Sequence, residues 1–288
     1  MARPHERSFS VWVHGAGKVG RALARALRRS GVKTTLRAAR RGLPRRIDAD
    51  VVVLAVRDTE LRPLAEMLAR ARIVRRSAVV LHVAGALDAT PLSPMRGLCA
   101  GVAQMHPCLA FASPRFSPSF AGCRVCIQGD PRAAARARQV AHLLRMKPWT
   151  VRQLDATLYH AAAGLVANGA AGLAALGAEL LARAGVPPLI APKILGPLLR
   201  SVADNVQTLG FPEALTGPVR RGDVQAVESH LAIVRRKLPK AVRLYAASVE
   251  AQLPLARAIG DASAENLERI AHITREITRR IARDALRV

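Results

Sequence analysis

Hydrophobic positions change their period once along this chain, and that change organises it. Up to about residue 153, short and nearly continuous apolar runs alternate with stretches in which apolar residues recur every three or four positions. FSVWVH (9–14), VKTTLR (32–37), VVVLAV (51–56) and SAVVLHV (77–83) read as strands, with weaker ones at GVAQM (101–105), CRVCIQ (123–128) and near WTVRQL (149–154). Between them, residues 18–30 carry apolar side chains at 19, 23, 26 and 27, and helical spacing returns over about 59–72 and 131–145. Runs that are apolar throughout suit strands of a parallel sheet covered on both faces by helices. From Asp155 onward only helical periodicity remains, interrupted at Pro187-Pro188, Gly210–Pro212, Gly217-Pro218 and Pro239. The pattern predicts an α/β domain over residues 1–152, a Rossmann-type, doubly wound, mostly parallel sheet, and an all-α domain over residues 153–288.

Directly after the first strand stands Gly15-Ala16-Gly17-Lys18-Val19-Gly20, the G-x-G-x-x-G spacing at a strand-to-helix turn. Gly15 suits the tight turn, Gly17 lets a diphosphate approach the backbone, and Gly20 lets the helix pack closely on the strand. The N–H groups of the opening helix then face the phosphates with the positive end of the helix dipole. Such a turn in the first strand–helix unit of an α/β chain points to a dinucleotide. An NAD site wants an acid at the end of the second strand for the ribose hydroxyls. This chain has TTLRAARRG there, with Arg37, Arg40 and Arg41 and no acid before Asp48. Guanidinium forks suit a 2′-phosphate, so NADP is the expected cofactor, held at that end by Arg40 and Arg41. Val56, Arg57 and Asp58, at the end of the third strand, are expected to border the same site.

Ligands of doubly wound sheets lie beyond the carboxyl ends of the strands. Ala84 and Gly85 follow the fourth strand and His106 the fifth, so all three are expected near a substrate. The helical part opens with DATLYHAAAGLVAN, in which His160 and Asn168 fall about 80° apart around a helix axis and can face one cleft. Reduction of a carbonyl or imine needs a proton donor beside the acceptor carbon. Histidine suits that near neutral pH and Asn can orient a substrate by hydrogen bonds, which makes His160, His106 and Asn168 the catalytic candidates. His160 reads equally well as a residue satisfied at a packing interface. In Leu215-Thr-Gly-Pro-Val-Arg-Arg-Gly-Asp223, Thr216 and Arg221 are candidates for a substrate carboxylate. The same turn also reads as a helix cap with Asp223 at the N-cap.

Composition alters this picture little. Lys plus Arg total 45 against 20 Asp plus Glu, a formal charge of +25, and all but six of the 45 are Arg. The arginines are spread along the whole chain and aromatics make up only 3%, too few for a base-stacking platform, so no specific nucleic-acid partner is expected. The four cysteines lack zinc-ligand spacing and read as small buried apolar residues; no metal is expected. Ala161–Ala178 carries no charge over 18 residues. Its Ala and Gly content and Asn168 favour a buried helix, packed through Gly164 and Gly172, over a membrane span. MARPHERSFS has no signal-peptide pattern, so the expected location is the cytoplasm.

GAGKVG, LAVRD, HVAGA, MHP, DATLYHAAAGLVAN and TGPVRRGD follow one another across nearly the whole chain. In that order they resemble a bacterial family with a Rossmann-like N-terminal domain and a helical C-terminal domain of unknown function. That family is related to pyrroline-5-carboxylate reductases, 3-hydroxyisobutyrate dehydrogenases and deazaflavin-linked NADP oxidoreductases. The resemblance implies an NADP-dependent reductase of a small 2-keto acid, ketopantoate first. The alternatives are an imine reductase of the pyrroline-5-carboxylate type and a non-catalytic NADP-binding sensor. It also implies a homodimer. Three positions depart from the relatives: Ala84 replaces a serine, Gly164 stands where the hydroxyacid dehydrogenases carry their lysine, and Ala156 replaces a basic residue. The lysine mechanism does not transfer, which leaves His160 and His106 as replacements.

Overall fold

The computed structural model describes residues 9–151 and 153–285. Its first part alternates strands and helices: β1 (Val11–His14), α1 (Lys18–Arg29), β2 (Thr34–Arg37), β3 (Val51–Leu54), α2 (Asp58–Ala71), β4 (Val79–His82), β5 (Gly101–Pro107), β6 (Arg124–Gly129), α3 (Pro131–Leu143) and β7 (Lys147–Trp149). The seven strands form one sheet in the order β2-β1-β3-β4-β5-β6-β7. All neighbours are parallel except β5 and β6. The chain leaves β1 toward β2 on one side and returns to β3 on the other, so the order reverses at β1, where such sheets open a crevice.

Both faces of the sheet are covered, as the unbroken apolar runs require. Side chains alternate across a strand. Val11, Val13, Val51, Val53 and Leu81 pack on one side with Leu23 and Leu27 of α1 and Ala137 and Val140 of α3. Trp12, Val52, Leu54 and Val80 pack on the other with Leu61 and Leu68 of α2 and with Leu92 and Met95 of a 3₁₀ segment.

The sheet ends at Trp149 and helices follow: α4 (Ala156–Arg183), α5 (Ala191–Leu209), α6 (Val224–Lys237), α7 (Val242–Ile259) and α8 (Ala264–Ala285). The breaks expected at proline and glycine pairs are the loops between them. Part of the strand expected near WTVRQL falls on Arg152, outside the described residues; β7 lies just before it. Secondary structure therefore changes near residue 153, but the two compact units divide inside α4, between Ala167 and Asn168. Helix α4 is continuous through that division: Tyr159 lies against His106 and Trp149 in the first unit, and Leu176 and Leu180 lie against the apolar core of the second. In the second unit, α6, α7 and α8 enclose a core of Val227, Leu231, Val249, Leu253, Leu267 and Ile270.

Two expectations fail. No residue of α4 is buried, and a Cβ placed on Gly172 would meet nothing within 4 Å. The apolar helix is long enough to cross a membrane, but its most apolar window is not covered by the rest of the chain. Apolar content alone did not show whether the chain supplies a second layer for that helix. The cysteines are likewise not uniformly buried: Cys126 is, Cys99 and Cys123 are partly so, and Cys108 is exposed because it follows β5 at the start of a surface loop. All four are free thiols, and no group of three metal-ligating side chains occurs among the described residues.

Candidate active site

The glycine turn is packed too tightly to admit side chains. Gly15 has φ +107°, and a Cβ there would collide with the carbonyl oxygen of Ala55, just beyond β3. A Cβ on Gly20 would strike the carbonyl of Gly15. Gly17, by contrast, has nothing within 4 Å on its open side. It is the N-cap residue of α1, with no side-chain cap and no acid in the first turn, so the leading N–H groups of that helix are left for an external acceptor. Two closed glycines and one open one fit a diphosphate laid across the turn.

A cavity of about 700 Å³ begins here. Gly15, Ala16, Gly17, Lys18 and Val19 line one end, with Val56, Arg57 and Asp58 beside them. Ala84, Gly85, His106 and His160 line the other. Gly20 lies beneath the turn, as its packing role demands. The N–H of Arg57 is already taken: Glu60 reaches back to it at 3.2 Å, so Arg57 contributes no backbone donor to an anion. Arg37 is also occupied, with Nε donating to the Gly42 carbonyl and Nη2 to that of Arg41, both at 2.7 Å. It braces the loop that carries Arg40 and Arg41. Neither Arg40 nor Arg41 lines the larger cavity; Arg41 borders a separate, smaller one of about 380 Å³ along β2.

At the far end, two ring nitrogens converge on Gly85. A Cβ on that glycine would stand 2.7 Å from His106 Nε2 and closer still to His160 Nδ1. The two rings lie edge to face, 5.8 Å between centroids. The loop that places Gly85 is fixed by buried polar groups. His82 Nδ1 accepts from the Ala84 N–H at 3.2 Å, so its Nε2 carries the proton and donates to the Asp88 carbonyl at 2.6 Å. Gln104 Nε2 donates to the Ala84 carbonyl at 2.9 Å. Behind His106, Tyr159 Oη lies 3.3 Å from Nδ1, and Trp149 stands edge-on to the tyrosine. Leu109 and Phe111 complete the wall from the loop after β5, which Arg25 ties down through Pro114, Arg115 and Ser117.

Burial, then the neighbouring His160 and His82, holds His106 down to about 4, so it is a neutral imidazole at pH 7. Burial lowers His82 and His14 as well. Burial, and then the nearby Cys108 thiol, raises Tyr159, which keeps its phenolic proton.

Asn168, Thr216 and Arg221 belong to the second unit and are exposed there. In the 215–223 turn the capping reading holds for Asp223, whose carboxylate accepts from the Ala226 N–H at 3.0 Å. The paired arginine is Arg220, 2.8 Å from Asp261, which leaves Arg221 pointing its charge at solvent. Sequence reasoning missed Tyr159, Gln104 and Phe111. The only available signal was their nearness in sequence to His106 and His160.

Two sequence profiles match the chain: a Rossmann-like domain over residues 3–107 and a domain of unknown function, DUF2520, over residues 123–252. The chain is thus a Rossmann-like domain followed by a helical DUF2520 region. No sequence among curated proteins matches it. Among solved structures, a Bacteroides fragilis protein provisionally named an NADP oxidoreductase is similar, with 21% identity and a TM-score of 0.67, covering 85% of this chain and 98% of that one. A Plasmodium falciparum pyrroline carboxylate reductase with NADP bound is 12% identical, with a TM-score of 0.58 over 89% of this chain and 100% of the other. An imine reductase from Myxococcus stipitatus in complex with NADP+ is 17% identical, with a TM-score of 0.56 over 91% and 99% of the two chains. At these identities the likeness is one of fold.

The neutral state of His106 has a stability consequence. Its folded pKa, about 4, lies below the ordinary 6.5, so between those values the unfolded chain binds the extra proton. The stabilisation is complete above pH 6.5 and is lost as pH falls toward 4, by about 3 kcal/mol from this residue alone. Denaturation midpoints measured from pH 7 to 4.5 should fall steeply, and His106→Gln should flatten that fall while His14 and His82 leave a smaller slope.

Proposed function

We propose that the chain is an NADP-dependent oxidoreductase that reduces a small 2-keto acid, ketopantoate being the first candidate. A single cavity carries this reading: it runs from the glycine turn to two converging imidazoles, which is the layout that hydride transfer followed by protonation needs. NADPH bound there supplies the hydride. Gly15–Gly20 and the N-terminus of α1 hold its diphosphate, and Arg40 and Arg41 hold the 2′-phosphate. The carbon that accepts a hydride leaves an oxygen or nitrogen in need of a proton. His106 is neutral and serves as a hydrogen-bond donor that polarises the acceptor group, and His160, the other ring at this end of the cavity, is the proposed proton donor. Leu109 and Phe111 keep water from that end. A cyclic imine is the second reading, supported by the fold shared with the pyrroline carboxylate and imine reductases. The expected setting is the cytoplasm, with no specific nucleic-acid partner.

Titration with NADPH and NADH, followed by NADPH oxidation with keto acids and cyclic imines, tests the reading. NADPH should bind in the micromolar range or tighter, and His160→Gln should cut kcat at least tenfold with little change in NADPH affinity. Failure to bind either dinucleotide sinks the assignment, and binding without turnover of either substrate class leaves a sensor. Replacing Arg40 and Arg41 together by Ala should weaken NADPH by roughly ten- to a hundredfold and NADH little, as befits lost charged hydrogen bonds.

We infer that the functional unit is a homodimer. Leu158, Leu165, Val166 and Leu173 of α4 and Ile194, Leu198, Leu199, Val202, Val206 and Leu209 of α5 are between 36% and 77% exposed. A helix that is apolar all round is not stable in water uncovered. A second copy of the chain offers matching apolar helices to cover them. Light scattering should give twice 30.8 kDa at micromolar concentration. Leu165→Glu should give monomers. A monomeric wild type, or one that floats with lipid vesicles, overturns the dimer.

A further inference from the structure

We propose that Tyr159 is a positioning residue that donates its phenolic proton in a hydrogen bond to His106 Nδ1 and thereby holds His106 as the tautomer with its proton on Nε2, facing Gly85 and the cavity. The inference deepens the reductase reading, because it assigns the polarising hydrogen bond of that reading to a particular ring nitrogen.

The geometry leaves His106 two distinct edges. Nδ1 looks back to Tyr159 Oη at 3.3 Å. Nε2 looks forward, 2.7 Å from where a Cβ on Gly85 would stand, in the space shared with His160 Nδ1. A neutral imidazole has one N–H and one lone pair, so whichever role Nδ1 takes, Nε2 takes the other. If Nδ1 carried the proton, a bare nitrogen would face the cavity and could not stabilise charge developing on a substrate oxygen or nitrogen. The phenol decides between the two. A phenolic O–H is a stronger donor than a neutral imidazole N–H, and imidazole nitrogen is a stronger acceptor than phenolic oxygen, so O–H···N is the favoured sense. Tyr159 keeps its proton because it is shielded by Trp149 and because the groups near it are the Cys108, Cys123 and Cys126 thiols, none of them cationic. Those thiols also compete poorly for its O–H, being weak acceptors.

The groups facing His106 from other elements are consistent with a ring that stays neutral. They are His82 at the end of β4, Tyr159 and His160 on α4, and Cys126, its register partner on β6. Among these groups there is no carboxylate to stabilise an imidazolium. No proton leaves His106 in this arrangement. The ring donates a hydrogen bond from Nε2 throughout, while His160 gives up the proton that the product gains and recovers it from solvent. Phe at 159 would keep the ring packing and remove only the hydroxyl.

The test reads the tautomer directly and does not depend on turnover. Full-length protein is labelled with ¹⁵N-histidine, and long-range ¹H–¹⁵N spectra are recorded between pH 6.5 and 8.5, with the His106 signals assigned by their loss in His106→Gln. The expected result is one dominant form, protonated at Nε2 and bare at Nδ1. In Tyr159→Phe the ratio of the two tautomers should shift at least fivefold toward Nδ1–H, with NADPH affinity within twofold of wild type. A wild-type ring protonated at Nδ1, or an imidazolium at pH 6.5, overturns the proposal, as does a Tyr159→Phe spectrum identical to wild type. If that variant fails to fold, the wild-type tautomer alone decides. A protein that binds no dinucleotide but shows the Nε2–H tautomer would refute the reductase reading and leave the tyrosine–histidine assignment standing.

Discussion

At Gly15 three stretches of backbone meet with no space left for a side chain: the turn itself, the carbonyl beyond β3 and the start of α1. The closeness of that contact sets the position of α1. Its first N–H groups are delivered to the carboxyl end of the sheet at the point where strand order reverses, and they arrive without a side-chain cap or an acidic neighbour to use them. A larger residue at Gly15 or Gly20 would push the helix off β3 and close the crevice from beneath. Every other feature of the cavity is arranged around this fixed edge.

The opposite edge is built from polar groups in an apolar setting. His82 and Gln104 are fully buried, yet both are spent on holding the backbone of Ala84. That grip presents Gly85 edge-on to two imidazoles. The arrangement leaves Gln104 Oε1 without a partner among the described residues, and His14 Nδ1 likewise. Each such orphan costs on the order of 1–3 kcal/mol, which is tolerable in a sheet so fully packed on both faces. Low polarity around His106 then follows from the same packing: burial suppresses its charge, and a suppressed charge turns a titrating base into a fixed dipole.

Helix α4 shows how ambiguous apolar content is without tertiary context. Its composition is compatible with a core helix, a membrane span or an interface helix. Core burial is excluded by the exposure of Leu158, Leu165, Val166 and Leu173. The arginine-rich surface has a simpler explanation. Individual guanidiniums are used locally, Arg37 and Arg25 to brace loops and Arg75, Arg96, Arg220 and Arg257 in exposed ion pairs worth little each.

Periodicity and glycine spacing were sufficient for the element order, the parallel sheet, the dinucleotide turn and the change to helices, because each is a local property of backbone geometry and of which face a side chain must bury. Glycine spacing singled out residues 15–19, helical spacing His160, and the rule that sites lie beyond the carboxyl ends of strands residues 56–58, 84, 85 and 106; these line one cavity, whereas Arg40 and Arg41 do not. The antiparallel turn of β6, the support of Gly85 by His82 and Gln104, the Tyr159–His106 contact, the exposure of Cys108 and the bareness of α4 depend on which distant segments share a surface. Sequence patterns record what a segment can bury, whereas only the folded chain determines what it meets, since each of these contacts joins residues with no periodic relation to one another.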